Sequence, residues 1–150
     1  MTRDLPVTWR LSPKMEESMT NLGISALFWL AVNAYHEARG ETDEGIKAVC
    51  QVVMNRADAQ GRRVEDIVLA PLQFSWANGG KRPALADYAA LERCLRLAYE
   101  AGKERRDGER LGGADHYYAP AGMPGGKAPS WAKDMVQVAK IGGHIFLRSR

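Results

Sequence analysis

Apolar residues recur at helical spacing in three long stretches of the chain. The second stretch has the clearest pattern, because Thr42 can cap a helix and apolar residues then follow at the i, i+3, i+4 and i+7 positions of one face. The members of that face are Ile46, Val49, Cys50, Val53 and Met54. The pattern predicts an amphipathic helix that packs against a core.

A largely buried helix is predicted before this one and another helix after it. The earlier helix should end near Gly40, and the later one should be capped by Asp87 and closed by Gly102. Apolar positions of the first are Leu22, Leu27, Leu30, Ala31 and Ala34, with Phe28 and Trp29. The apolar positions of the later helix are Leu91, Cys94, Leu95 and Ala98. A short turn is predicted from Val64 to Leu69, and a last helix is predicted to begin after Ser130 and to run to Gly142.

Two loops rich in glycine and proline separate these helices, from Gln73 to Pro83 and from Gly112 to Pro129. Short strands are predicted at Asp115 to Tyr118 and at His144 to Leu147. The pattern therefore indicates an α+β fold, mainly helical with a minor β element, in which the loops line a cleft.

The length of 150 residues fits a single domain with one core. Residues 1–20 lack sustained periodicity and are predicted to form an N-terminal arm, so that residues 21–150 form the domain. The apolar stretch from Leu22 to Tyr35 is too short to span a bilayer, and acidic residues precede it. We therefore expect neither a signal peptide nor a membrane anchor. Cys50 and Cys94 lie on apolar helix faces and are predicted to be buried thiols.

The chain is mildly basic, with a formal net charge of +3. This excess favours anionic surroundings such as nucleic acid, wall polymers or lipid headgroups, and selects none of them. The charged segment from Lys103 to Arg110 mixes both signs, which is typical of a solvated loop. The basic tail from Leu147 to Arg150 is too short to be a nucleic-acid-binding arm.

Glu37 is the strongest candidate for a catalytic group. It falls in the last turn of the first predicted helix, where the negative end of the helix dipole disfavours a charged carboxylate. Burial beside Tyr35 or Trp76 would act in the same direction. A carboxyl that stays protonated near neutral pH can serve as a general acid toward a glycosidic oxygen. The alternative is a surface residue paired with Arg39.

The histidines suggest a metal alternative. His36 and Glu37 begin like the zinc-binding helix motif H-E-x-x-H, but Gly40 stands where the second histidine is needed. An amidase-type site could still form if distant ligands meet in space; these are His36, Asp115, His116 and His144. Alternatively, His116 and His144 hold loops. We expect no metal and no cofactor.

The loop from Gln73 to Gly80 combines amides, a hydroxyl and two aromatic rings. Carbohydrate-binding sites use this mixture, because aromatic rings stack on the apolar faces of sugars while amides bind hydroxyl and N-acetyl groups. Phe74 is expected to point into the core and Trp76 toward the cleft.

Taken together, these segments resemble the SleB-type cell-wall hydrolases, the group that includes spore cortex-lytic enzymes and many small phage endolysins. Six motifs occur in family order over about residues 34 to 147. The motifs are Glu37-Ala38-Arg39-Gly40-Glu41, Ala48-Val49 through Asn55-Arg56, Gln73-Phe74-Ser75, Ala114-Asp115-His116-Tyr117-Tyr118, Pro129-Ser130-Trp131-Ala132 and Ile141-Gly142-Gly143-His144-Ile145-Phe146. His36 departs from the related pattern, which often has glycine there.

The resemblance implies a lysozyme-like α+β fold and lytic transglycosylase chemistry on peptidoglycan, with Glu37 as the single acid/base. The substrate would be the β-1,4 bond between N-acetylmuramic acid and N-acetylglucosamine, and the product a 1,6-anhydro end. Residues expected to contact the glycan are Glu41, Gln73, Ser75, Trp76, His116, Tyr117 and Tyr118.

Resemblance to small endolysins further implies a monomer made in a host cytoplasm, which a holin-type membrane protein releases to act at the cell wall. Neither nucleic acid nor a stable membrane association is expected. Two alternatives stay open. A hydrolytic muramidase would need a second carboxylate, for which Glu41 and Asp115 are candidates. A non-catalytic wall-binding module would use the same cleft without turnover.

Overall fold

The fold is described from a computed structural model. The structure describes residues 23–70, 74, 76–77, 83–104 and 110–150. The predicted arm at residues 1–20 lies outside the described residues, as do Gln73 and Ser75.

The described chain contains four α-helices: α1 (Ile24–Ala38), α2 (Asp43–Gln60), α3 (Val64–Leu69) and α4 (Tyr88–Lys103). The two predicted caps are confirmed. Thr42 Oγ1 accepts a hydrogen bond from the Gly45 N–H at 3.2 Å, and Asp87 Oδ1 accepts one from the Ala90 N–H at 3.0 Å. These bonds satisfy N–H groups that the first helical turn leaves without a partner.

The core lies where α1 packs against the other three helices. The entire predicted apolar face of α2 is buried, and Leu30, Ala31 and Ala34 of α1 are buried against it. Cys50 and Cys94 are free and buried, as predicted. Phe28, predicted to belong to a buried helix, is instead 41% exposed. In the part of the chain that the structure describes, no helix combines the length and apolarity needed to span a bilayer.

A three-stranded antiparallel sheet packs beside the helices in the order β1-β3-β2, with β1 at His116–Tyr118, β2 at Val136–Ile141 and β3 at His144–Arg148. Both predicted strands, β1 and β3, are confirmed. The fold is therefore α+β and mainly helical.

The helix predicted from Ser130 to Gly142 is wrong. A short 3-10 helix at Ser130–Asp134 precedes β2, which turns at Gly142 into β3. The apolar residues of this segment belong to a strand, because Val136 and Val138 are β-branched and polar residues alternate with them. An irregularity in the pairing between Gln137 and Ala139 interrupts that alternation, so the apolar positions of this segment also fit a helical spacing.

One acidic side chain connects the helical part to the turn between β2 and β3. Glu41, in the link between α1 and α2, accepts a hydrogen bond from the Gly143 N–H at 3.2 Å. Gly142 adopts a left-handed φ of +55°, and a Cβ there would collide with the Glu41 carboxylate. The two glycines thus leave room for the Glu41 carboxylate in its observed position.

Gly142→Ala is expected to lower the melting temperature more than Gly126→Ala. Both glycines have a left-handed φ, which costs about 1–3 kcal/mol for another residue, but a Cβ at Gly126 meets open space. Thermal unfolding of the two variants measures the difference. Adding Glu41→Ala should restore part of the lost melting temperature in the Gly142→Ala variant and none of it in the Gly126→Ala variant. Equal decreases in melting temperature for the two glycine variants would contradict the close contact between Glu41 and the turn at Gly142.

Candidate active site

Glu37 lies half-buried in the last turn of α1. Burial raises the pKa of its carboxyl, while the neighbouring Tyr117 hydroxyl and Arg56 guanidinium act in the opposite direction without cancelling the effect. The alternative, in which Glu37 pairs with Arg39, is not found among the described residues, since Arg39 lies over the Tyr35 ring, 4.6 Å from its centroid. Glu37 therefore has the surroundings of a carboxyl that holds its proton above the usual pH range.

Tyr117 brings its hydroxyl from β1 to this carboxyl. The hydroxyl is buried and lies next to Glu37 and Asn33, although no described partner meets standard hydrogen-bond geometry. Burial, together with the nearby Glu37 charge, raises the pKa of Tyr117 well above its usual value. The phenol is thus a neutral group that can donate to the carboxylate of Glu37.

Arg56 of α2 is a site residue that the sequence analysis did not single out. Its charge interacts with Glu37, Tyr117 and Asp115, and its Nε donates to the backbone oxygen of Asp115. The guanidinium also lies over the Phe74 ring, 5.4 Å from the centroid. The sequence contained one signal for Arg56: the Asn55-Arg56 motif falls on the polar side of a well-defined amphipathic helix.

Asn55 fixes the segment that leads into β1. Its amide Nδ2 lies 2.7 Å from the carbonyl oxygen of Ala114 and 3.3 Å from that of Arg110, and it can donate to both. Asn55 and Arg56 therefore join α2 to the start of β1, and this connection positions Tyr117 opposite Glu37.

Trp76 is close to the catalytic candidate but is largely enclosed. Only 9% of its surface is exposed, its Nε1–H donates to Asn33 Oδ1 at 2.9 Å, and its ring stacks on His36 at 4.7 Å between centroids. The expectation that Trp76 faces an open cleft is therefore not met, because its N–H and one ring face are already occupied. Phe74 is 4% exposed and points into the core as expected.

His36 thus packs between two aromatic rings, Tyr35 and Trp76. Burial and the nearby Arg39 charge lower its pKa, which favours the neutral imidazole. At the position where the related pattern often has glycine, this chain therefore has a ring that stacks on Trp76.

The two candidates for a second catalytic carboxylate are both engaged elsewhere. Glu41 binds the Gly143 N–H, and its Oε1 lies 3.3 Å from His144 Nδ1. Asp115 accepts hydrogen bonds from the Ser149 N–H at 3.0 Å and the Ser149 hydroxyl at 2.7 Å, and lies 3.0 Å from His116 Nδ1. Burial alone would raise the pKa of Asp115, but the His116 and Ser149 contacts lower it overall.

The predicted glycan-binding residues of β1 are divided between the two faces of the sheet. Successive side chains of a strand point to opposite faces, so Tyr117 points toward Glu37 while His116 and Tyr118 point away. Both of these rings contact Trp131 instead. Glu41, also predicted to bind glycan, is held by the turn before β3.

The histidines do not assemble the amidase-type alternative. His36 stacks on Trp76, His116 contacts Asp115, and His144 lies beside Glu41 with a pKa that burial lowers. No three histidine, cysteine, aspartate or glutamate side chains form a metal-binding group in the described part of the chain.

Comparison with known proteins defines the class of this chain. Residues 40–147 match the profile of the cell wall hydrolase family. The chain belongs to this family of cell wall hydrolases, enzymes that degrade peptidoglycan. The matched segment begins three residues after Glu37, so the family match does not include this residue, and its assignment as a candidate rests on the local geometry. No curated protein sequence matches the chain.

Two solved structures share the fold. The catalytic domain of the Bacillus cereus SleB protein is 25% identical, with a TM-score of 0.60 over 87% of this chain and 98% of that one. The catalytic domain of the germination-specific lytic transglycosylase SleB from Bacillus anthracis is 24% identical, with a TM-score of 0.63 over 84% of this chain and 96% of that one. The predicted SleB-type family and α+β fold are confirmed.

Tyr117→Phe is expected to raise the pKa of Glu37 further. The hydroxyl favours the charged carboxylate, so its removal favours the protonated form. Carbon-13 NMR titration of the glutamate carboxyl groups in the full chain measures this pKa. Tyr118→Phe, on the opposite face of the same strand, is the matched control and should leave it unchanged. An unchanged or lower pKa in Tyr117→Phe would contradict the arrangement.

Proposed function

We propose that this enzyme is a lytic transglycosylase that cleaves the β-1,4 bond between N-acetylmuramic acid and N-acetylglucosamine. The observation that carries the proposal is the contrast among three carboxyl groups. Glu37 is half-buried with a raised pKa, whereas Glu41 and Asp115 are both engaged in internal contacts. A site with one available acid suits a reaction in which the same group acts first as acid and then as base.

In the first step, Glu37 donates its proton to the glycosidic oxygen. The bond from C1 of the muramic acid residue to that oxygen breaks, and N-acetylglucosamine leaves with a new hydroxyl group. Positive charge develops at C1 as the bond lengthens. The Glu37 carboxylate formed at that moment can stabilise this charge.

In the second step, the Glu37 carboxylate takes the proton of the C6 hydroxyl of the same muramic acid. The C6 oxygen then bonds to C1 and closes a 1,6-anhydro ring. Glu37 is protonated again, and no water has been consumed. This closed proton cycle is why no second carboxylate is needed.

Tyr117 and Arg56 are suited to balance the two states of Glu37. Burial favours the protonated form that begins the reaction, while the phenol and the guanidinium favour the carboxylate that follows proton transfer. Neither protonation state is then so stable that the next transfer becomes prohibitive. Asn33 adds a buried amide whose Nδ2 has no hydrogen-bond partner in the described residues.

The similar catalytic domain from Bacillus anthracis is that of a germination-specific lytic transglycosylase, which supports the same reaction class. A hydrolytic muramidase is the second candidate, and it would need Glu41 or Asp115 to leave its present contacts. The role in phage-induced lysis, with cytoplasmic synthesis, a monomeric state and a holin-type partner, stays a prediction from the sequence resemblance. Contacts of Gln73 and Ser75 with the glycan also stay predictions.

Glu37→Gln is expected to abolish wall-lytic activity without loss of stability. General acid/base catalysis is typically worth ~100-fold to 10,000-fold, and an amide can neither donate nor accept the proton. Because the folded state favours the protonated carboxyl, ionisation of Glu37 costs stability as pH rises above its unfolded pKa, and the neutral amide avoids that cost.

Turnover of purified peptidoglycan and thermal unfolding at neutral pH measure the two effects. Glu92→Gln, on the exposed surface of α4, is the control for loss of a carboxylate and should match the wild type in both. Activity within a fewfold of wild type in Glu37→Gln would remove Glu37 from the mechanism.

A further inference from the structure

The outer face of the sheet, which points away from Glu37, carries an exposed aromatic cluster. Trp131 is 41% exposed, and its ring lies 5.3 Å from that of His116 and 6.1 Å from that of Tyr118. Tyr118 meets it edge-on, at an interplanar angle of 86°. A tryptophan held this way by two neighbouring rings presents part of its surface to solvent in a fixed orientation.

An open groove of about 440 Å³ adjoins this cluster: it is lined by Tyr118 and by Ser130 and Ala132, the chain neighbours of Trp131, while the Trp131 ring lies outside its lining. The sheet contributes Tyr118, Gln137 and Leu147 to its lining. The 3-10 helix that carries Trp131 contributes Ser130 and Lys133. The volume is in the range that accommodates a small-molecule ligand or one unit of a polymer.

We propose that the exposed Trp131 ring, together with the adjoining groove that begins at Tyr118, binds an N-acetylated sugar of the peptidoglycan glycan, at a site separate from the catalytic one. The exposed ring offers a surface for the apolar face of a sugar, and the Gln137 amide and Ser130 hydroxyl offer partners for hydroxyl and N-acetyl groups. The groove contains one cation, Lys133, among mostly uncharged residues, which suits a neutral sugar better than a polyanion.

The position of the groove gives it a distinct role. Tyr117 contacts the Glu37 site from one side of β1, whereas His116 and Tyr118 contact Trp131 on the other side. A glycan unit in the groove therefore cannot be the unit that reacts at Glu37. The groove holds the enzyme on the insoluble, cross-linked polymer while another segment is cleaved. This inference rests on the proposed function, because it takes the same polymer as its ligand.

The direct test is NMR of the tryptophan indole N–H groups in the full chain carrying Glu37→Gln. The probe is a tetrasaccharide of N-acetylglucosamine, and Trp→Phe variants assign the resonances. The Trp131 resonance is expected to shift in a saturable way. If the Trp76 resonance shifts and the Trp131 resonance does not, sugar binds only near Glu37 and the proposal is overturned. A free stem peptide is the second probe, and a Trp131 shift with the peptide alone would also overturn it.

Co-sedimentation with purified insoluble peptidoglycan tests the ring itself. In the Glu37→Gln background, Trp131→Leu is expected to weaken binding about tenfold, the loss of one central aromatic contact, while Trp131→Phe should retain most of it. Tyr88, 79% exposed at the start of α4, supplies the control Tyr88→Leu, which should bind normally. Equal binding by the Leu and Phe variants would contradict stacking on the ring.

Gln137→Leu, on an exposed strand position, supplies the same binding test if a Trp131 variant does not fold; unchanged binding by this variant would then overturn the proposal. These readouts do not depend on turnover. If Glu37→Gln retains lytic activity, the proposed mechanism is refuted, whatever the Trp131 resonance does. If the Trp131 resonance does not shift, the sugar site at the groove is refuted, whatever the activity of Glu37→Gln.

Discussion

Desolvation of the Glu37 carboxyl is the interaction on which the rest of the site depends. Burial at the end of α1 makes the charged form unfavourable, and Tyr117 and Arg56 recover part of that cost. If the carboxyl were fully solvated, it would be ionised at neutral pH and unable to donate a proton. If it were buried without the phenol and the guanidinium, its carboxylate form would be less favourable still. The proposed acid/base chemistry requires both influences on one side chain.

The position of the small sheet follows from that requirement. Tyr117 reaches Glu37 only while β1 is held against α2, and Asn55 and Arg56 hold it through backbone oxygens at residues 110, 114 and 115. At the other end, Glu41 holds the glycine turn that leads into β3, the strand paired with β1. Glu41 therefore connects the link after α1 to the turn between β2 and β3, four residues after the catalytic candidate.

The helices could be predicted because their signals are local. Thr42 and Asp87 cap helices whose apolar faces repeat at regular spacing, and no distant contact is needed to recognise them. Strand β2 was missed because an irregularity in its pairing disturbs the alternation of Val136 and Val138, and a short apolar segment does not distinguish a strand from a helix.

The site was predicted less completely, since most of its contacts join residues far apart in sequence. Glu37 could be recognised as a candidate from its place at a helix end. The burial of Trp76 could not be predicted from the sequence, because it depends on contacts with Asn33 and His36, some forty positions earlier. Once β1 is predicted, the alternation of side chains along a strand is enough to place Tyr117 on one face of the sheet and His116 and Tyr118 on the other. Arg56 needed the fold, because nothing local shows that it reaches Glu37.

The most direct test of the central claim is digestion of purified peptidoglycan in water labelled with oxygen-18, followed by mass spectrometry of the soluble fragments. If Glu37 acts alone as acid and then base, the new ends are 1,6-anhydro-muramic acid, lighter than a reducing end by one water molecule and free of the label. Reducing ends that carry one oxygen-18 atom would contradict the account, because water would then have attacked C1.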